Sequence, residues 1–169
     1  MIDIDRLDDE ILTKPIVSFE DELIRCKNLG IKILVIHPGS HGGFGVNNGI
    51  SKIIESVNKA IKNIKNLDVT IAFETTAGQG TSIGSCFEEL QMIIKGINKE
   101  VKTKICIDSA HIFESGYKIA ELSDYKNTKR AINKTVGIDN IAVIHLNDSK
   151  TDYGSRVDRH EHIGKVKLA

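Results

Sequence analysis

The sequence has no tryptophan, only three cysteines and no excess charge of either sign. The cysteines Cys26, Cys86 and Cys106 are odd in number and none belongs to a CxxC pair, which argues against a disulfide framework and against a cysteine zinc finger. They read as reduced, mostly buried thiols of an intracellular protein. No apolar run approaches the roughly 18 residues that a membrane span needs. The acidic start, MIDIDRLDDE, lacks the apolar stretch of a signal peptide. With 23 basic and 23 acidic side chains the formal net charge is zero. A general nucleic-acid binder is therefore not signalled by charge, although local patches can still hold phosphate. There is no GxGxxG after the first apolar run, so a dinucleotide fold loses its main support. No linker, low-complexity segment or close repeat is visible.

What is present suits one globular domain over residues 1–169, with 40% hydrophobic and 27% charged residues. Four short, β-branched runs read as buried strands: 31–37 (IKILVIH), 69–74 (VTIAFE), 104–108 (KICID) and 141–146 (IAVIHL). Helical patterns lie before and between them. Residues 50–66 space Ile50, Ile53, Ile54, Val57, Ile61 and Ile64 along one stripe, with lysines elsewhere. Residues 85–99 repeat the pattern, and 18–29 and 117–136 complete the set. Gly30 reads as a helix stop, with Gly96 and Gly137 near later helix ends. The alternation predicts an α/β fold with a parallel sheet and right-handed crossovers. An open doubly wound sheet and part of a (β/α)8 barrel both fit; a complete barrel typically needs about 250 residues, and four strands are half of one.

All four strands end in a residue that can ligate a metal: His37, Glu74, Asp108 and His145. One such residue is an ordinary strand end reaching the surface. Four of four points to a shared site, because the C-terminal strand ends of a parallel barrel converge on one mouth. His and carboxylates suit zinc or manganese, with oxygen-rich sets favouring harder ions. Two local spacings add candidates. Asp108-x-x-His111 places two ligand types on one short loop, and Asp158-x-His160 puts two on one side of an extended segment. Glu74 is the natural bridge between two ions, since a carboxylate offers two oxygens and an imidazole one free nitrogen. A bridged pair supports in-line attack on a phosphodiester. The glycine-rich stretches PGSHGGFG (38–45) and AGQG (77–80) read either as tight turns or as loops whose N–H groups approach a phosphate. Lys150, Arg156 and Arg159 bring positive charge near the same mouth, among Asp148, Asp152, Asp158 and Glu161.

Five ordered motifs, HPGSH (37–41), FETTAGQG (73–80), CIDSAH (106–111), HLNDSK (145–150) and GSRVDRHEHIG (154–164), resemble the endonuclease IV family of apurinic/apyrimidinic endonucleases. Thr75 stands where that family usually has Asn. The resemblance implies a partial (β/α)8 TIM barrel of about four consecutive βα units and a zinc-dependent DNA-repair endonuclease that cuts double-stranded DNA 5′ to abasic sites. It implies that Glu74 is catalytic and bridges two ions, with His37 on one and Asp108 and His145 on the other. His111, Asp158 and His160 then hold a third ion, and Gln79 and Arg159 lie near DNA. His41 and His162 are expected to support the site or the fold.

Against the family pattern, the chain begins just before the fourth barrel strand and ends soon after HEHIG, without the eighth. A histidine ligand of the first ion and a glutamate ligand of the second are then missing, and only the third set is whole. The expectation is a weakly stable chain, inactive or nearly so by itself, that needs the missing barrel segments or self-association. Two other readings are a metal-dependent sugar isomerase or epimerase of the related barrel type, and a fragment that binds metal or a partner without catalysis.

Overall fold

The structure, a computed structural model, describes residues 9–165. Most of the acidic start, read above from sequence, lies outside the described residues, as do residues 166–169. In chain order the elements are α1 (Asp9–Leu29), β1 (Ile33–Ile36), β2 (Gly39–Ser40), α2 (Val46–Ile61), β3 (Thr70–Glu74), β4 (Ser82–Ile83), α3 (Phe87–Gly96), β5 (Thr103–Asp108), α4 (Ser109–Glu114), α5 (Leu122–Thr135), β6 (Ile141–His145), β7 (Asp148–Ser149) and β8 (His160–Glu161). Among the described residues no helix is long and apolar enough to cross a membrane.

Strands β1, β3, β5 and β6 form one parallel sheet in that order. The chain never doubles back across the sheet, and α1, α2, α3 and α5 touch one another in sequence order. A doubly wound sheet reverses its strand order and places helices on both faces. Here a single helical layer follows a singly wound sheet, which is the architecture of a TIM-barrel segment.

The alternation of strand side chains divides the two faces. Ile71, Phe73, Ile105 and Ile107 turn to the helical layer and join a core with Leu23, Ile53, Val57, Leu90 and Ile93. Ala72 and Glu74 on β3, and Cys106 and Asp108 on β5, occupy the opposite face and are also buried. The two central strands therefore match the expected apolar-on-both-faces pattern. The outer strands do not: β1 and β6 are edges, and Ile144 is 60% exposed.

Local signals explain most element ends, and two expectations need correction. Gly30 (φ 72) closes α1 as expected, with Ile31 N–H donating to Cys26 O and Gly30 N–H to Lys27 O, a Schellman pair. That helix starts well before residue 18, however, and runs through Pro15, which costs only one N–H donor where it does not break the helix. The second helix ends at Ile61 rather than 66, because residues 62–66 turn and Asn66 adopts a left-handed φ of 52. Gly96 lies at a helix end as expected, without a left-handed φ. It is the last residue of α3, and a Cβ there would lie 2.4 Å from Ile54 Cδ1, so its role is close packing of α3 on α2. Cys26, Cys86 and Cys106 are free thiols, Cys26 and Cys106 buried.

Candidate metal centre at the strand ends

The parallel register brings the strand-end residues side by side. Asp108 on β5 pairs with His145 on β6, Glu74 on β3 pairs with Cys106, and His37 directly follows β1 beside β3. Glu74 is the hub. Its Oε2 lies 3.3 Å from His37 Nε2, and its Oε1 lies 2.7 Å from His145 Nδ1 and 3.7 Å from His111 Nδ1. The two carboxylate oxygens thus face two different histidines, from opposite edges of the sheet. His145 Nδ1 is also 3.9 Å from Asp108 Oδ2.

His111 is on a helix, not on a loop. Asp108 caps α4: its Oδ1 accepts from Ala110 N (2.9 Å) and His111 N (3.1 Å), which satisfies two of the free N–H groups of the first turn. The capping swings His111 back under β3, where Nδ1–H donates to Thr75 O at 2.7 Å. The carbonyl can only accept, so this bond fixes the tautomer and leaves Nε2 with its lone pair. Thr75, the residue that departs from the family pattern, serves twice, because its hydroxyl also accepts from Asp108 N at 3.0 Å. Asn147 Nδ2 donates to Asp108 Oδ2.

The extended segment after residue 155 completes the cluster. Asp158 Oδ2 is 3.3 Å from His111 Nε2, Asp158 Oδ1 is 3.4 Å from His160 Nε2, and the two Nε2 atoms are 3.0 Å apart. His160 Nε2 is 3.8 Å from Asp108 Oδ1. All seven candidate ligands thus fall in one network. Ligands at about 2.0–2.1 Å around a tetrahedral zinc stand roughly 3.3 Å from one another. The 3.0–3.4 Å spacings among His111, Asp158 and His160 fit that arrangement. Each Asp158 oxygen faces one of the two histidines, and one oxygen of Asp108 also stands close to both rings; two imidazoles with neighbouring carboxylates are a donor set for a divalent cation.

Electrostatics bind the hub together. Hydrogen bonding to Glu74 raises the His37 pKa above its usual range, against the opposing effect of burial. Burial alone pushes Glu74 up, but hydrogen bonds from His37 and His145 outweigh it and hold the carboxylate below its ordinary value. Cys106 was missed as a neighbour of the site. Its sulfur groups with Glu74 and His145, and burial, aided by Glu74 and Asp108, pushes the thiol up to about 12. The period-two alternation on β5 could have found it, two residues before Asp108 on the same face.

The glycine-rich stretches turn at Gly42–Gly43 and at Gly80, and the start of the first one also joins a short ribbon. Gly39–Ser40 and Ser82–Ile83 pair as an antiparallel ribbon, with His41 N–H donating to Thr81 O at 2.9 Å. A groove of about 390 Å³ runs between this ribbon and the network, lined by His37, Ser40, Gln79, Gly80, Asp158 and Arg159. Gln79 Oε1 accepts from Asp158 N at 2.9 Å, and the Arg159 guanidinium donates to Asp158 O at 2.7 Å. Both residues expected near DNA therefore sit on the groove beside a candidate ligand. His41 and His162 stay outside the network: His41 is half-buried against Gly49, and the His162 backbone bonds Glu161.

The family model of xylose isomerase-like TIM barrels matches residues 1–166. "Probable endonuclease 4" of a Geobacter species is 40% identical over 159 residues, covering 94% of this chain and 56% of that protein. The crystal structure of endonuclease IV from Thermus thermophilus superposes with a TM-score of 0.82 at 30% identity, over 98% of this chain and 57% of that one. The chain belongs to the endonuclease IV family. Another endonuclease IV relative, "Probable endonuclease 4" of Staphylococcus aureus, is 44% identical over 145 residues, or 86% of this chain and 48% of that protein. The chain spans about half the length of the curated endonuclease IV proteins it matches. A D-tagatose 3-epimerase-like protein superposes with a TM-score of 0.69 at 16% identity, a likeness of fold alone.

Proposed function

We propose that the chain carries the metal-holding part of a zinc-dependent DNA-repair endonuclease that hydrolyses the phosphodiester 5′ to an abasic site. The observation that carries this reading is the placement of Glu74, whose two oxygens face His37 on one side and His145 on the other. The identity to endonuclease 4 proteins favours it over a sugar isomerase or epimerase.

In this reading His37 and Glu74 hold one ion, Glu74, Asp108 and His145 a second, and His111, Asp158 and His160 a third. Bound zinc, or manganese in part of the set, supplies Lewis acidity and positive charge at a phosphoryl group. The chain's own residues do the rest. Glu74 keeps its two histidines at a fixed separation while it stays ionised. Thr75 O holds the His111 tautomer, and Asp108 holds the helix that carries it. The ribbon and Gln79 form one wall of the groove, and Arg159 sets a positive charge at its edge for the DNA backbone. The four βα units correspond to about half of the barrel of the relatives.

The test places residues 31–164 in the corresponding region of the Staphylococcus aureus relative. A labelled duplex with one abasic site is then incubated with and without zinc. The chimera is expected to cut 5′ to the site only with zinc. Glu74→Gln is expected to lower the rate about a thousandfold, the equivalent of roughly 4 kcal/mol of barrel-mouth electrostatics. A folded, zinc-loaded chimera that leaves the duplex whole would sink the reading, as would cleavage indifferent to Glu74→Gln.

A further inference from the structure

We propose that Glu114 is a positioning residue: it fastens the arm that carries Asp158 and His160 so that both meet His111. The inference rests on the metal reading of that cluster. Glu114 ends α4, one turn beyond His111, and is fully buried. Among the described residues no lysine or arginine side chain pairs with it, although an uncompensated buried carboxylate is costly. Its donors all come from one distant stretch. Oε1 accepts from Ser149 Oγ at 2.7 Å, from Thr151 Oγ1 at 3.2 Å and from Arg159 N at 3.2 Å. Oε2 is buried without a hydrogen-bond partner, so the carboxylate serves this stretch alone.

The Arg159 amide is the peptide N–H between the two candidate ligands, so one bond to Glu114 sets the position of both. The backbone of the same residue adds a second fastening. Glu114 O accepts from Arg156 N at 3.0 Å, and Phe113 O accepts from Gly154 N at 3.1 Å. Arg156 has φ 55, a left-handed conformation that an arginine adopts only when its surroundings hold it there. The arm is thus clamped at residues 149, 151, 154, 156 and 159 by the end of the helix that presents His111. A carboxylate here orders two ligands that the sequence places some 45 residues away.

The test uses the full chain with Co²⁺ alone as a visible-absorption probe of the cluster, and amide hydrogen exchange of the metal-free chain. Glu114→Ala is expected to weaken Co²⁺ binding at least about tenfold, as loss of groups behind metal ligands generally does, and to speed exchange at the Arg159 amide by at least about tenfold. Glu114→Gln keeps a carbonyl oxygen for the same three donors and is expected to restore both values to within about threefold of the parent. An alanine variant that matches the parent in both readouts would overturn the proposal, as would a glutamine variant as weak as the alanine one. Ser149→Ala removes one donor and covers the case of an unfolded Glu114→Ala chain; unchanged Co²⁺ affinity and unchanged Arg159 exchange in it would also overturn the proposal. A parent chain that takes up no Co²⁺ would count against the metal reading, and Arg159 exchange would then decide the clamp by itself.

Discussion

Replacing His160 by alanine is expected to weaken zinc binding at the third set at least about a hundredfold, with the far-UV circular dichroism of the chain unchanged. The reasoning begins with the side chain's surroundings. His160 is 41% exposed and lies on a two-residue strand, so its removal deletes little packing. What it deletes is one of three donors, the imidazole whose Nε2 stands 3.0 Å from His111 Nε2 and 3.4 Å from Asp158 Oδ1. Loss of groups that merely support ligands already costs about 10–100-fold in metal affinity, and loss of a ligand itself costs more. His111→Ala would be a poorer test, because His111 is buried and bonded to Thr75 O, so packing and ligation would fail together. Competitive zinc titration with a chromophoric chelator reads the change. Affinity equal to that of the parent would remove His160 from the centre.

The second large effect concerns stability. Phe73→Ala is expected to destabilise the chain by about 3–5 kcal/mol, the usual cost of a large core aromatic, and to leave it largely unfolded at room temperature. Phe73 lies on the central strand β3, is fully buried, and faces the helical layer one residue before Glu74. Both edges of the sheet are open in the described residues, and Ile144 and Leu146 are exposed beside one of them. Such a sheet has a small margin, since net stabilities of whole domains are only about 5–15 kcal/mol. Urea denaturation followed by circular dichroism measures the change; a loss below about 1 kcal/mol would show that the β3–helix interface contributes little.

Much of this arrangement was legible because its signals are local. The four runs are short and β-branched, and their polar last residues fall at the ends that a parallel sheet gathers together. The sheet order then does what periodicity cannot: it separates a singly wound barrel segment from a doubly wound sheet. Misreadings arose where distant contacts override local preference. Gly96 ends its helix as its position suggests, yet its small size answers to Ile54 on another helix. The apolar pattern marked α1 only over 18–29, yet the helix begins earlier and runs through Pro15. The six residues SAHIFE are too few to show a helical period, so the Asp108 cap was the one local clue that His111 rides on a helix. No local pattern singles out Glu114, whose partners all lie on the returning 149–159 stretch.

The central claim is that this chain brings a metal-holding set of residues together at its strand ends. The most direct measurement is the zinc content of the purified, folded 169-residue chain after exhaustive dialysis. The account predicts about one tightly held zinc per chain, at His111, Asp158 and His160, whose side chains stand within 3.4 Å of one another and all come from the chain itself. A folded chain that retains no zinc above the dialysis background would contradict it.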